Sequence, residues 1–399
     1  MRILVDHSGY ALLNIGDVAM LQACVMRLRS LWPDATIEVI TESAERLARY
    51  CPGATPVVAA VAHRGPLAKL PPRGQRAAEQ LWKMAAPQIA GPGRSSSADG
   101  RLTLLPAIRR ADVVVSSGGG FINDPFWWHG VGVLSVLAMA QRLGKPTAMF
   151  GQGVGPLTNP ILKRLLRAVL PRLAVLGLRE GASSLPIVSD NSVAPESTYV
   201  TGDDALLLAT QPIRPVTGAR IGVNVRAAGY SGTTETAGRQ MIRVIECAAR
   251  NRGADTVALP VEYNSAASDL RILGGGEDDG TPEQLIRTAA SCRVVVTGSY
   301  HAAVFALAAG VPAVCITNSA YYDGKFRGLA ALFPGGCHIV HAGPHFDRDS
   351  TDALMRAWGT TESDRDAIHR NARRQVATAG AAYQRFGVIV EDSLRRVRA

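Results

Sequence analysis

The sequence predicts an α/β protein of two domains, each a mostly parallel sheet flanked by helices, and three observations carry that expectation. The chain has 399 residues, beyond the size at which one hydrophobic core usually keeps growing. Short runs of Val, Ile and Leu recur, each followed by Gly or Asp and then by a helical pattern, as buried parallel strands with crossover helices require. A stretch with two prolines and no helical period, residues 209–218, separates two sets of such runs.

In the first set, residues 2–6, 36–41, 112–116, 146–151, 173–178 and 198–201 read as strands. In the second, the strands fall at 220–225, 256–260, 293–297, 313–317 and 338–341. The expected domains are therefore 1–210 and 218–361, followed by arginine-rich helical residues 362–399. Residues 61–99 break the alternation with Pro71-Pro72 and a Gly-Pro-Gly-Arg-Ser-Ser-Ser run, and read as a variable, mobile loop.

Lys and Arg outnumber Asp and Glu by 43 to 33, a net charge of +10 that favours anionic partners such as phosphates, acidic glycans or lipid headgroups. The excess is scattered, and no zinc-finger spacing or long basic block accompanies it, which argues against a nucleic-acid binder. Cys24, Cys51, Cys247, Cys292, Cys315 and Cys337 never approach CxxC spacing and read as small core residues of a reducing compartment. The chain opens directly into a strand and holds no apolar run long enough for a bilayer. A cytoplasmic protein is expected, with at most peripheral membrane contact.

Several loops at strand ends carry candidate chemistry. After the first strand, Gly16 permits close approach and Asp17 reads as the cap of the following helix, which leaves Asn14 as a ligand contact. In Ser116-Ser-Gly-Gly-Gly-Phe-Ile-Asn-Asp-Pro125, the glycines Gly118, Gly119 and Gly120 let backbone amides face an incoming group, with Asn123 and Asp124 beside them. Gly151-Gln-Gly-Val-Gly-Pro156 repeats the device with Gly151, Gln152 and Gly153, and two neighbouring strands ending this way imply a crevice. Arg179 and Arg226 end one strand in each domain, where a guanidinium can fork onto a carboxylate or phosphate or form a structural ion pair.

Two clusters read as bland. The acidic run at 274–280 lacks cation-loop spacing, and His338, His341 and His345 span a strand and a turn, so no metal site is expected. His301 is different. It stands where the strand Val294-Val-Val-Thr297 hands over through Gly298, Ser299 and Tyr300 to an apolar helix, and the helix dipole there favours a neutral imidazole.

Taken in order, the chain resembles the polysaccharide pyruvyl transferase family over nearly its whole length. The matching elements are Asn14-Ile-Gly-Asp-Val-Ala19, Ser117-Gly-Gly-Gly-Phe-Ile-Asn-Asp124, Gly151-Gln-Gly-Val-Gly-Pro156, Arg179-Glu180 with Ser183, and Gly202-Asp-Asp-Ala205. They continue with the run from His301 to Pro312 and Tyr322-Asp-Gly-Lys325. The resemblance implies a glycosyltransferase-B-like fold, two Rossmann-like domains facing a cleft, with the last helix crossing back to the first domain. It also implies transfer of an enolpyruvyl unit from phosphoenolpyruvate to a hydroxyl of a glycan, lipid-linked glycan or related acceptor, closed to a ketal on a second hydroxyl.

In that scheme His301 is the acid/base and Arg179 an anion clamp, while the chemistry itself suggests adding Arg226; no metal or redox cofactor is required. One position departs from the pattern. The family commonly carries Arg-x-His, whereas this chain has Ser299, Tyr300 and His301, so a fixed cation is missing from the donor site. Either Lys325, Arg226 or Arg327 takes its place, or the donor is another anion such as a nucleotide sugar. A non-catalytic relative that binds an anionic ligand is the remaining reading.

Overall fold

The computed structural model describes residues 1–58, 104–210, 219–264, 268–274 and 280–398. The expected loop at 61–99, most of the linker and the centre of the acidic run lie outside the described residues. Two sheets form the frame, and among the described residues every pairing within them is parallel. The first holds β1 (Arg2–Asp6), β2 (Thr36–Thr41), β3 (Thr55–Val58), β4 (Val113–Ser116), β5 (Gly119–Ile122), β6 (Thr147–Val154), β7 (Val175–Leu178) and β8 (Thr198–Val200). Their order is β3-β2-β1-β4-β6-β7-β8, with β5 paired to the far end of β6. The second sheet holds β9 (Ile221–Asn224), β10 (Thr256–Ala258), β11 (Val294–Thr297), β12 (Ala313–Thr317) and β13 (Cys337–His341), ordered β10-β9-β11-β12-β13.

In both sheets the strand order reverses, between β1 and β4 in the first and between β9 and β11 in the second. Reversal leaves a crevice at the carboxyl ends of the strands, because the crossovers on either side depart in opposite directions. The loops that open there are those after Asp6, Ser116, Asn224 and Thr297, so topology alone brings the candidate loops of both domains to one place. The central strands are buried on both faces, with Ile3, Val5, Val113, Val115, Val294 and Val295 fully covered. That is why they read as continuous apolar runs.

Two strands were not anticipated. β3 carries a proline at its second position and lies at the sheet edge, where a missing N–H is tolerated; β5 begins with two glycines of low strand propensity. β6 also runs three residues past the expected end at 151, so Gln152 and Gly153 belong to a strand rather than a loop. The first helix, Ile15–Leu31, begins earlier than expected. Its cap is Asn14, not Asp17, because the Asn14 Oδ1 accepts from the amides of Gly16 (3.0 Å) and Asp17 (3.2 Å).

The last helix, Glu362–Arg398, touches both domains. Near its start Arg365 donates to the Arg293 carbonyl and His369 bonds the Ala308 carbonyl; further on, Arg27 donates to the Val376 carbonyl and Tyr383 stacks on Phe150 at 3.7 Å. Cys247 is exposed on the helix Glu235–Arg250, against the expectation that the cysteines are core residues, because it sits on the polar side of that amphipathic helix. Among the described residues no helix is long and apolar enough to cross a membrane.

Candidate active site

The domains are stitched together at the first loop. The Ile15 amide donates to the Val261 carbonyl (2.8 Å), the Tyr263 amide to the Leu13 carbonyl (2.9 Å), and Asn14 Nδ2 to Glu262 Oε2 (3.0 Å). Glu262 in turn pairs with Arg226 at 3.0 Å. Arg226 also meets Asp269 at 2.8 Å and bonds the Tyr230 hydroxyl through Nε and Nη2. Burial pulls on this guanidinium, but the Asp269 carboxylate and its other neighbours hold its pKa well above the usual arginine value. Asn14 and Arg226 are therefore engaged in the seam between the domains, with their polar atoms already in use.

Beside the seam lies a cleft of about 260 Å³, lined by Gly120, Gly153, Pro156, Arg179, Tyr321 and Lys325 among others. Arg179 enters from the first domain and Lys325 from the helix Ala320–Leu332 of the second. A Cβ placed on Gly120 would stand 2.6 Å from Arg179 Nη2 and 3.0 Å from Lys325 Nζ, and one on Gly153 would stand 2.6 Å from the same Nη2. The two cations thus converge on the backbone of β5 and β6, where a side chain would displace their flexible ends. The Gly120 carbonyl accepts from Tyr321 Oη (2.9 Å) and Asn123 Nδ2 (2.6 Å), the first of which ties β5 to the second domain.

Among the described residues Arg179 makes one long ion pair and Lys325 makes none. Arg179 is 3% exposed, its Nε has no partner, and its nearest acid is Asp203 at 3.7 Å. Its guanidinium lies 4.3 Å from the centre of the Tyr300 ring, while Lys325 Nζ lies 4.2 Å from that of Tyr321. Burial first, and then the charge of Arg179, push the Lys325 amine well below its usual pKa. Asp17 faces the same group: burial and the Glu262 charge raise its carboxyl to about 6, opposed by Lys325 and Arg179.

His301 stands behind the cleft wall. Its Nε2 has no hydrogen-bond partner and lies 3.7 Å from Asp203 Oδ2, the oxygen that Arg179 also approaches. Burial, followed by the cations Arg179, Lys325 and Arg226, drives its pKa well below the usual histidine value, so the resting imidazole is neutral. Burial raises Asp203 even though Arg179 opposes it. Gly16 makes room for the ring, since a Cβ there would lie 1.9 Å from His301 Nδ1. Ser299 occupies the N-cap of the helix Tyr300–Ala308 in extended backbone, but its side chain makes no capping bond.

The structure thus gathers Gly16, Asp17, Gly120, Asn123, Gly153, Arg179, Tyr300, His301 and Lys325 around one region. It places other expected residues elsewhere. Gly118 and Gly119 pack closely against Met20 and Phe121, Gly151 against Asp204, and buried Gln152 donates to the Gly119 carbonyl at 2.7 Å. Asp124 accepts from the Thr158 amide and hydroxyl and the Asn159 amide. Burial pulls its carboxyl up, but those bonds outweigh it and hold the pKa below the ordinary value. Arg327 is exposed and pairs with Asp323 at 2.6 Å, away from the cleft. Asp203 was missed as a site residue, although Gly202-Asp203-Asp204 at the end of β8 was a visible signal. Among the described residues no three His, Cys, Asp or Glu side chains converge as a metal site.

A family model described as polysaccharide pyruvyl transferase matches residues 14–320. No curated protein matches the sequence. Among solved structures, the calicheamicin glycosyltransferase is similar over 100% of this chain and 99% of its own, with a TM-score of 0.57 and 16% identity. The kitacinnamycin glycotransferase is similar over 98% of each chain at a TM-score of 0.57 and 13% identity. The spinosyn rhamnosyltransferase covers 94% of this chain and 96% of its own at 0.51 and 18%. At these identities the likeness shows the fold, two Rossmann-like domains in the glycosyltransferase-B arrangement.

Proposed function

This chain belongs to the polysaccharide pyruvyl transferase family and is a glycan-modifying transferase; from that premise we propose that it transfers an enolpyruvyl unit from phosphoenolpyruvate to hydroxyls of a glycan, lipid-linked glycan or similar acceptor and closes a ketal. The observation that carries the proposal is the meeting of buried Arg179 and half-buried Lys325 at Gly120, two cations from opposite domains, of which Arg179 has only a long ion pair, 3.7 Å to Asp203. Such a pair suits a small dianion that carries its charge at two ends. The cleft volume, about 260 Å³, also favours a metabolite over a nucleotide sugar.

Of the three cations able to replace the missing arginine, Arg226 is held by Asp269, Glu262 and Tyr230 and Arg327 is exposed, which leaves Lys325. Burial lowers its pKa, and a carboxylate or phosphate bound beside it would stabilise the ammonium and raise it again. The neutral His301 takes the proton of the attacking hydroxyl as the oxygen bonds to the central carbon of the donor, and passes that proton to the methylene carbon, which becomes a methyl group. Asp203 Oδ2, 3.7 Å away and without a hydrogen bond of its own, stabilises the imidazolium in between. A second hydroxyl then displaces phosphate from the same carbon, and its proton leaves with the phosphate.

A nucleotide-sugar donor is the second reading, favoured by Ser299 in place of the arginine. Thermal-shift titration with phosphoenolpyruvate and a panel of nucleotide sugars separates the two. Stabilisation by phosphoenolpyruvate alone is expected; a shift with a nucleotide sugar and none with millimolar phosphoenolpyruvate would sink the proposal. His301→Ala should fold normally and release no phosphate.

A further inference from the structure

From Pro125 to Arg179 the chain contains no Asp or Glu and seven basic residues. Arg179 points inward to the cleft, while Arg142, Lys163, Arg164, Arg167 and Arg172 are exposed and Lys145 is half-exposed. Most of them sit on or just beyond two neighbouring helices, Trp127–Arg142 and Pro160–Val169. The helices run side by side, with Gly130 close to Leu162 at one end and Gln141 donating to the Val169 carbonyl at the other.

None of the six outward cations forms an ion pair with a described residue. Lys163 helps to lower the carboxyl of Asp124, whose oxygens are occupied by Thr158 and Asn159. Apolar side chains lie open on the same pair of helices, Met139 at 37% and Leu143 at 41% exposure. The second helix also starts at the cleft: Gly155 and Pro156 line it, and Asn159 caps the helix four residues after Gly155. Ten residues span about 15 Å, so its cations stand within roughly that distance of the cleft mouth.

We propose that this face docks on an anionic lipid bilayer. Uncompensated cations supply attraction to acidic headgroups, and Met139 and Leu143 supply apolar surface for the acyl boundary. A second basic surface in the molecule lacks this character. The last helix exposes Arg370, Arg373 and Arg374, but Asp364, Asp366, Glu391 and Asp392 alternate with its arginines and Asp392 pairs with Arg395. Docking itself does not depend on the donor. Its purpose, bringing the cleft to a lipid-linked acceptor, rests on the glycan reading proposed above.

The test is flotation of the full chain with vesicles of phosphatidylcholine alone or with about one-third phosphatidylglycerol. Binding only to the anionic vesicles at about 0.1 M salt, and its loss at about 1 M, is expected. Lys163→Glu/Arg164→Glu/Arg167→Glu should weaken partitioning roughly 100-fold or more, since each basic residue near the surface contributes about fivefold. Arg370→Glu/Arg373→Glu/Arg374→Glu, the same change in charge on the other face, should retain it. Equal binding to neutral vesicles, equal loss in both variants, or displacement of the vesicles by duplex DNA at equal phosphate concentration would overturn the proposal. Should the first variant fail to fold, Leu143→Glu takes its place and must also weaken binding. The thermal shift with phosphoenolpyruvate is read on the same proteins, so failure of docking and failure of the donor assignment are seen separately.

Discussion

Arg179 and Arg226 occupy equivalent places in the two domains, just beyond a sheet strand, and are 3% and 5% exposed. Their surroundings differ. Arg226 makes four hydrogen bonds, to Asp269, Glu262 and twice to Tyr230, and its charge is consumed in holding the seam. Arg179 has its nearest carboxylate at 3.7 Å, an unpartnered Nε and an aromatic face beneath it. A buried cation without full pairing costs several kcal/mol, which a fold retains only where something besides stability depends on it. Burial is common to both arginines; unmet donor capacity distinguishes the one that faces a ligand.

Substitution is the direct way to break this contrast. Arg179→Met should lower turnover by roughly 10³-fold with little loss of stability, because it removes transition-state donors and relieves an incompletely paired buried charge. Phosphate-release kinetics and a melting curve check both halves. Arg226→Met should instead destabilise the protein by about 3–5 kcal/mol in urea unfolding, since Asp269 and Glu262 would be left buried or half-buried without their cation. If both variants unfold, or both fold and fail only in turnover, the distinction is wrong.

Gly16→Ala sharpens the contrast from the histidine side. The added carbon would overlap the His301 ring, so the imidazole must move, and a displacement of that order costs about 10²-fold in kcat with the donor thermal shift kept. The smallest expected effect concerns pH. Burial raises Asp204 from 3.8 to about 6, so the folded state holds this proton more tightly than the unfolded chain. The stabilisation is complete below about pH 4 and fades as pH rises through 6, up to about 3 kcal/mol. Asp204→Asn should flatten the decline of melting temperature across that window; because Asp6 and Asp17 also reach about 6, the slope should shrink rather than vanish.

The frame was legible because its strands are continuous apolar runs: Val294-Val-Val and Val113-Val-Val announce a sheet covered on both faces. β5 was not, since Gly119 and Gly120 have little strand propensity and pair only with the extension of β6. His301 was legible from its corner between strand and helix. What Arg226 does was not, because Glu262 and Asp269 lie 36 and 43 residues away and only the fold brings them to it. Asp203 shows the same limit across domains. Nothing near residue 203 in the chain reveals that the ring of His301 will stand beside it.

Asp203 and Asp204 are neighbours in sequence with opposite attachments. The first looks toward His301, and the second accepts from the Tyr383 hydroxyl at 2.9 Å. The stretch that carries Asp203 is therefore braced by Tyr383, a residue of the helix that follows both sheets in the chain. A nascent chain with both sheets already synthesised still lacks that brace until the last helix, Glu362–Arg398, has followed them.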